Sequence, residues 1–333
     1  MTKQDTLVLK GIAILFMIYG HLFLYPEWSD KYESMFHLFG LPIECLLTRA
    51  TGPVSFYLLL GGYGMYYIYQ NKGLKNNLPR IRNLYINFWV VIFLFVLIGH
   101  IIKPSIYPGS IKNIVYNLTG FNTTYNGEWW FLLPYSLVIA SSYYIFKLID
   151  KYNPLWIIFI CVFGFFTTSF IISRFGAEYL YGYNLRYNLF LYFHLLWEFI
   201  IGAMLLKTKF FSMSKSVVCR YIRSERGRVL AIILLVLLRC CFDTSAVHLF
   251  YVIAFIALFL SITRWKFVDN CLSTLGKYSM NMWFIHTCIC YYLFNDFIYG
   301  LKFPIIIYVV VVVLSLFSAV VVTRIAKIFI PSK

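Results

Sequence analysis

Charge is what this chain has least of. Asp, Glu, Lys and Arg make up 13% of its 333 residues, whereas 61% are hydrophobic and mean hydropathy is +0.76. Soluble domains carry about a quarter charged residues, so this sequence has too little charge to cover a water-facing surface. A soluble globular protein is excluded. The length alone would suggest two soluble domains, but one bundle of packed membrane helices is the better expectation. Cysteine motifs are also missing. None of the eight cysteines forms a C-x-x-C pair, so neither a zinc site nor a disulfide framework is signalled, and they read as free buried thiols. No H-E-x-x-H occurs, and no metal is expected. The first apolar run lacks a small-x-small cleavage site and is longer than the apolar core of a signal peptide, so it reads as a retained span. With no low-complexity linker, internal repeat or appended soluble domain in view, residues 1–333 read as a single transmembrane domain.

What the sequence does contain is a series of apolar runs of the length that a helix needs to cross a bilayer, roughly 20 residues. They fall at 7–25, 52–70, 84–102, 131–148, 155–172, 188–206, 229–243, 247–262, 279–298 and 304–323. The seventh is short, and with the eighth it could form one tight hairpin. Placing the N-terminus in the cytoplasm and alternating puts 21 of the 29 basic residues inside, among them Lys3, Lys10, Arg80, Arg82, Arg264 and Lys333, and eight outside. The acidic residues lean outward. This asymmetry follows the positive-inside rule and accounts for the net charge of +16 without a nucleic-acid partner. The expected fold is therefore all-α: a polytopic membrane protein of about ten helices with both termini cytoplasmic. Sequons at Asn117 and Asn122 fall in an expected outer loop and carry little weight.

Ionisable side chains inside a span are expensive unless paired or hydrated, so each is a candidate functional group. Here they are Lys10, His21, His194, Glu198 and His286, with Arg239 and Asp243 near the outer end of the seventh run. Lys10 and His21 are eleven residues apart. At about 100° per residue they share one helix face, roughly 16 Å apart along the axis. That arrangement suits a long substrate with an anionic head at the cytoplasmic surface and a reactive end in the membrane, the shape of an acyl-CoA. A snorkelling lysine and a histidine bonded to a neighbouring helix would look the same. His194 and Glu198, at i and i+4, also share a face, and His286 shares one with Trp283. Arg80 and Arg82 follow the second run with Lys72 and Lys75. They serve either topology or phosphate recognition, for which guanidinium is well shaped. Gly61-Gly62 allows close approach of a helix or a ligand. Glu128-Trp129-Trp130 reads as an interface anchor, although an acidic residue beside aromatics also suits a sugar.

Several of these stretches resemble the acyltransferase 3 family of membrane acyltransferases. Lys10-Gly11-Ile12-Ala13-Ile14-Leu15, running on to Gly20-His21, is similar to its opening, in which a basic residue precedes a histidine by eleven positions. Phe56-Tyr57-Leu58-Leu59-Leu60-Gly61-Gly62-Tyr63 resembles its second-span signature, and Arg80-Ile81-Arg82 with Tyr85 its basic segment before the third span. Glu128-Trp129-Trp130-Phe131 and Ser279-Met280-Asn281-Met282-Trp283-Phe284-Ile285-His286 resemble two later signatures. The five occur in order along nearly the whole chain. Two positions depart from the pattern: Lys10 stands where Arg is commoner, and Gly61 where Ser is common.

The resemblance implies transfer of an acyl group, usually acetyl from acetyl-CoA as co-substrate, to a hydroxyl of a cell-surface polysaccharide or its lipid-linked precursor. Bacterial capsular and exopolysaccharide O-acetyltransferases, in the cytoplasmic membrane, are the closest type. On that reading Lys10, Arg80 and Arg82 hold the acyl-CoA phosphates and His21 is the catalytic base or nucleophile. Glu198 and His286 orient catalytic groups, and Glu128, Trp129 and Trp130 line the acceptor side. A glycan or lipid-linked-sugar exporter is the main alternative, since ten spans suit a transporter, but the paired half-repeats of many transporters are not visible. A scaffold in a glycan-assembly complex is a third.

Overall fold

The computed structural model describes residues 1–331 apart from 74 and 183. Lys333, counted above among the inner basic residues, lies outside the described residues. Each of the ten apolar runs is helical. The long helices are α1 (Lys3–Phe23), α3 (Pro53–Lys72), α4 (Leu78–Ile102), α6 (Leu132–Lys151), α7 (Pro154–Phe175), α8 (Asn184–Lys207), α10 (Glu225–Cys240), α11 (His248–Phe259), α12 (Lys266–Thr287) and α14 (Pro304–Phe329). Shorter helices fill the connections: α2 (Ile43–Thr48), α5 (Ile111–Thr119), α9 (Phe210–Tyr221) and α13 (Asn295–Tyr299). The chain is an all-α, multi-pass membrane protein.

Six helical segments among the described residues have both the length and the apolarity to cross a membrane: α1, α4, α8, α14, and α6 and α7 with their flanking turns. The other four expected spans differ in instructive ways: α3, at 20 residues, is long enough, but its three glycines and five tyrosines leave it less apolar than the six. Helices α10 and α11 have 16 and 12 residues, short of the roughly 20 that a straight crossing needs. Helix α12 is long, but its first twelve residues carry Lys266, Asp269, Asn270 and Lys277. The run expected at 279–298 is in fact the end of α12, a π-helical turn at Cys288–Leu293, and α13. One strand pair was not foreseen: β1 (His37–Leu38) and β2 (Leu41–Pro42) form a small antiparallel hairpin.

The chain forms two compact units, Met1–Tyr57 with Lys209–Val321, and Leu58–Thr208 with Val322–Lys333. In the first, α1 packs along α12. The approach is close because two glycines face the opposing backbone reciprocally. A Cβ on Gly11 would meet the Leu272 carbonyl oxygen at 2.0 Å, and one on Gly276 would meet that of Leu7 at 1.9 Å. At the N-terminal ends of the two helices, Arg264 bridges Asp5 at 2.6 Å and Asp269 at 2.7 Å. Thr2 and Asp5 form a capping box that starts α1.

The second unit repeats the device. Gly62 on α3 faces the Phe199 carbonyl oxygen, which an added Cβ would meet at 1.9 Å, and Gly202 on α8 faces that of Leu59 at 2.3 Å. Gly62 therefore serves helix packing, the small-residue solution that membrane interfaces favour. His194 donates from Nδ1 to the Thr168 hydroxyl at 2.9 Å, that hydroxyl being turned toward the Gly164 carbonyl at 2.8 Å, so it ties α8 to α7. Asn77 reaches Ile139 O at 3.0 Å and Ser142 Oγ at 2.7 Å, fixing the α3–α4 connection on α6.

One expectation needs correction. The cysteines are all free, but only Cys45, Cys161, Cys288 and Cys290 are buried; Cys219 and Cys240 are half-buried, and Cys241 and Cys271 are exposed, because they lie at the end of α10 and on the polar start of α12. The Asn117 side chain of the first sequon is fully buried. Its amide donates to Asn113 O and Thr124 Oγ1 and accepts from the Tyr125 N–H, leaving no room for a glycan in the folded chain.

Candidate active site

In the first unit, α1 and α12 bring His21 and His286 together across 265 positions of sequence. Each lies in the last turn of its helix. His21 Nδ1 is 2.6 Å from His286 Nε2, and the rings are nearly parallel, 11° apart with centroids 4.9 Å apart. His286 is fully buried, and its Nδ1 lies 3.0 Å from the Met282 carbonyl oxygen. A carbonyl can only accept, so Nδ1 of His286 carries the proton and, in the neutral ring, Nε2 is the acceptor. The proton shared by the two rings then belongs to His21 Nδ1. The neutral His21 ring is left with its lone pair on Nε2. The chain Met282 O to His286 to His21 thus fixes one tautomer and one orientation for the imidazole on α1.

The turn that carries His21 is held from outside the helix. The last four carbonyls of any helix lack intrahelical donors. Here the donor that would serve Leu22 O falls on Pro26, which has no N–H. The Tyr299 hydroxyl donates to Leu22 O at 2.8 Å, and the Tyr291 hydroxyl donates to His21 O. Tyr291 reaches α1 because the π-helical turn after α12 redirects the chain, and π turns recur at functional sites. Its ring stands edge-on to His21 at 6.1 Å and to Trp28 at 4.9 Å. Lys10, on the same helix as His21, is half-buried and makes no ion pair or hydrogen bond among the described residues.

The remaining candidates belong to the second unit. Arg80 and Arg82 stand in the first turn and a half of α4. Arg80 is half-buried and donates to Asn77 Oδ1 at 3.1 Å, while Arg82 is exposed. Two guanidiniums at the positive end of a helix dipole are unfavourable until an anion joins them. Asn126 caps the turn that holds Glu128, accepting from its backbone N–H at 3.0 Å. Trp129 is fully buried, its ring edge-to-face with Phe88 at 5.0 Å and Phe95 at 5.6 Å, so it packs beneath the turn. Glu128 and Trp130 are half-exposed. Glu198, one turn beyond His194 on α8, is buried.

Residues 8–324 match the family model described as an acyltransferase domain, acyltransferase 3. The chain belongs to the acyltransferase 3 family. It is a membrane acyltransferase, and every candidate residue named above lies within the matched segment. No curated protein and no solved structure matches the chain. Sequence reasoning missed Tyr291 and Tyr299. Pro26, four residues after Leu22, signals that α1 needs an outside donor, but nothing in the sequence says which of 28 tyrosines supplies it.

Proposed function

We propose that this acyltransferase moves an acyl group, acetyl in the simplest case, from acyl-CoA to a hydroxyl of a cell-surface polysaccharide or its lipid-linked precursor. The observation that carries the proposal is the ordered pair of imidazoles. His21 Nε2 holds the lone pair that group transfer needs, and an imidazole works near neutral pH. As general base, His21 Nε2 takes the acceptor hydroxyl's proton while that oxygen bonds to the thioester carbonyl carbon. The tetrahedral intermediate collapses with breakage of the C–S bond, and the leaving CoA sulfur takes the proton from His21. As nucleophile, Nε2 would attack the carbonyl first, expel CoA, and pass the acyl group to the hydroxyl in a second step. Either way the His21 ring gains positive charge in the transition state, which strengthens its Nδ1–H bond to His286. A neutral imidazole as partner does this without burying a second charge, which would be costly in a membrane.

The donor side rests on charge. Lys10 is a half-buried cation without an ion pair among the described residues, and Arg80 and Arg82 crowd the positive end of α4. All three suit the phosphates of acyl-CoA, with Lys10 as a point charge and the arginines as forks. Glu128 and Trp130, over the buried Trp129, suit a sugar acceptor, and Glu198 is a further orienting candidate. The setting proposed is the cytoplasmic membrane of a bacterium, with both termini inside, in line with the basic residues.

The test is the O-acyl content of the host's surface glycan, read by proton NMR before and after mild alkali. The ester is expected to vanish on deletion, to return with the wild-type chain, and to stay absent with His21→Ala at equal membrane abundance. Unchanged ester with reduced glycan export would overturn the proposal in favour of a transporter.

A further inference from the structure

Residues 34–43 contain no charged side chain, and Ser34 and His37 are their only polar ones. Met35, Phe36, Leu38 and Phe39 are exposed, Phe39 at 86%. In the β1–β2 hairpin Leu38 pairs with Leu41, so Phe39-Gly40 is a two-residue turn. Both turn residues have positive φ, 54° and 76°. Such turns select Asn-Gly or Asp-Gly, because only small or locally bonded residues adopt that backbone without strain. A phenylalanine held there, at the most exposed point of the loop, runs against both backbone preference and solubility. A strained residue that persists invites a functional explanation.

The base of the hairpin is tied down by hydrogen bonds. Glu44, only 1% exposed, accepts from the Met35 N–H at 3.0 Å and the Ser34 hydroxyl at 2.7 Å. Ile43 N–H donates to Phe36 O at 3.0 Å, and Glu33 N–H to Lys302 O at 2.9 Å. Below the base lies the side-chain mix of a membrane–water boundary: Trp28 with the Lys31 ammonium 4.6 Å from its ring centroid, and the exposed Lys302–Glu33 pair. Lys302 also marks where the apolar surface continues. The span α14 begins just after it, and Phe303, Ile305 and Ile306 at that start are exposed as a lipid-facing surface would be.

We propose that residues 34–43 insert into the bilayer, with Phe36, Leu38 and Phe39 among the lipid acyl chains of the leaflet beside the C-terminal end of α1. A bilayer is the occupant that fits, because the tip offers apolar area and no charge, and its base joins the start of a lipid-exposed span. The inserted hairpin lies in the connection that follows α1, whose last residue, Phe23, is two beyond His21. Lipid would then border the end of the helix that carries the candidate catalytic histidine.

The experiment uses the full-length protein in phospholipid nanodiscs. Cys241→Ser and Cys271→Ser remove the exposed thiols, and nitroxide labels are placed through Phe39→Cys, Phe36→Cys and, as a water-facing control, Asp30→Cys. Signal from the background without an added cysteine is subtracted. Power-saturation EPR then compares collision with oxygen, which concentrates in lipid, and with a nickel chelate, which stays in water. Oxygen should dominate at 39 and 36, and the nickel chelate at 30. Nickel dominance at 39 overturns the proposal, as does loss of both signals there, which means that protein covers the tip. If Phe39→Cys fails to fold, position 36 decides by the same criterion.

Discussion

Replacing Gly276 by alanine should uncouple the two histidines without touching either. The added Cβ would sit 1.9 Å from the Leu7 carbonyl oxygen, where ordinary contact begins near 3.4 Å, so about 1.5 Å of separation must be found between two backbones. Neither backbone can rotate out of the way as a side chain could. Strain of this kind costs about 1–3 kcal/mol. His286 stands ten residues further along α12, and its contact with His21 spans 2.6 Å; a shift of even 1 Å carries that pair beyond hydrogen-bond length. Misplacement on that scale lowers turnover by roughly a hundredfold. Acyl transfer would be followed as CoA thiol released per folded enzyme, with thermal stability measured in parallel by fluorescence-detected size exclusion. Gly64→Ala is the control, since an added Cβ there meets nothing within 4 Å. Wild-type turnover in Gly276→Ala, with the thermal midpoint unmoved, would refute the view that the α1–α12 glycine pair sets the histidine geometry.

Other perturbations separate the roles assigned above. Tyr291→Phe keeps the ring and removes the donor to His21 O; kcat should fall about tenfold with KM for acyl-CoA unchanged, because the turn that carries His21 loosens. Thr168→Val removes the partner of His194 and should cost about 1 kcal/mol in stability with turnover unaffected, which a melting curve and a rate assay on one preparation would show. Arg80→Ala and Arg82→Ala should each raise KM for acyl-CoA about tenfold and leave kcat intact, as loss of a phosphate contact does. Arg264→Met strands Asp5 and Asp269, whose shared cation is only 14% exposed; a loss of about 2 kcal/mol is expected in thermal or denaturant unfolding.

The helices were legible because apolar runs of membrane length are a one-dimensional signal. All ten runs are helical, and the C-terminal ends of α1, α4 and α7 lie within three residues of expectation. What failed was local chemistry that length cannot report. The run at 279–298 reads as one span, yet a π-helical turn breaks it, since backbone register is not a property of hydropathy. The β1–β2 hairpin is equally invisible, because Phe39-Gly40 lacks the Asn or Asp that announces such a turn. At the site, the shared face of Lys10 and His21 follows from helix geometry alone. His286 stood out as an intramembrane histidine, but its bond to His21 joins distant segments, and no local pattern encodes it. Trp129 illustrates the same limit. With Glu128 and Trp130 it reads as an interface anchor or as part of an acceptor-side cluster, and only the fold shows its ring turned inward between Phe88 and Phe95.

The position of His21 near the end of α1 has a physical logic that links fold to chemistry. In a helix interior the backbone is satisfied by its own ladder, and a side chain is aimed only by its rotamer. At a helix end within a membrane, the free carbonyls must find donors in the protein, because hydrocarbon offers none. Tyr299 supplies the donor that Pro26 withholds, and Tyr291 supplies that for His21 O. Both tyrosines come from the stretch that continues α12 beyond His286. The same segment therefore satisfies the backbone of the α1 terminus, presents the imidazole that fixes the His21 tautomer, and is held against α1 by the Gly11–Gly276 crossing. Capping, packing and proton placement share one interface, so a disturbance of any one of them is felt at His21 Nε2.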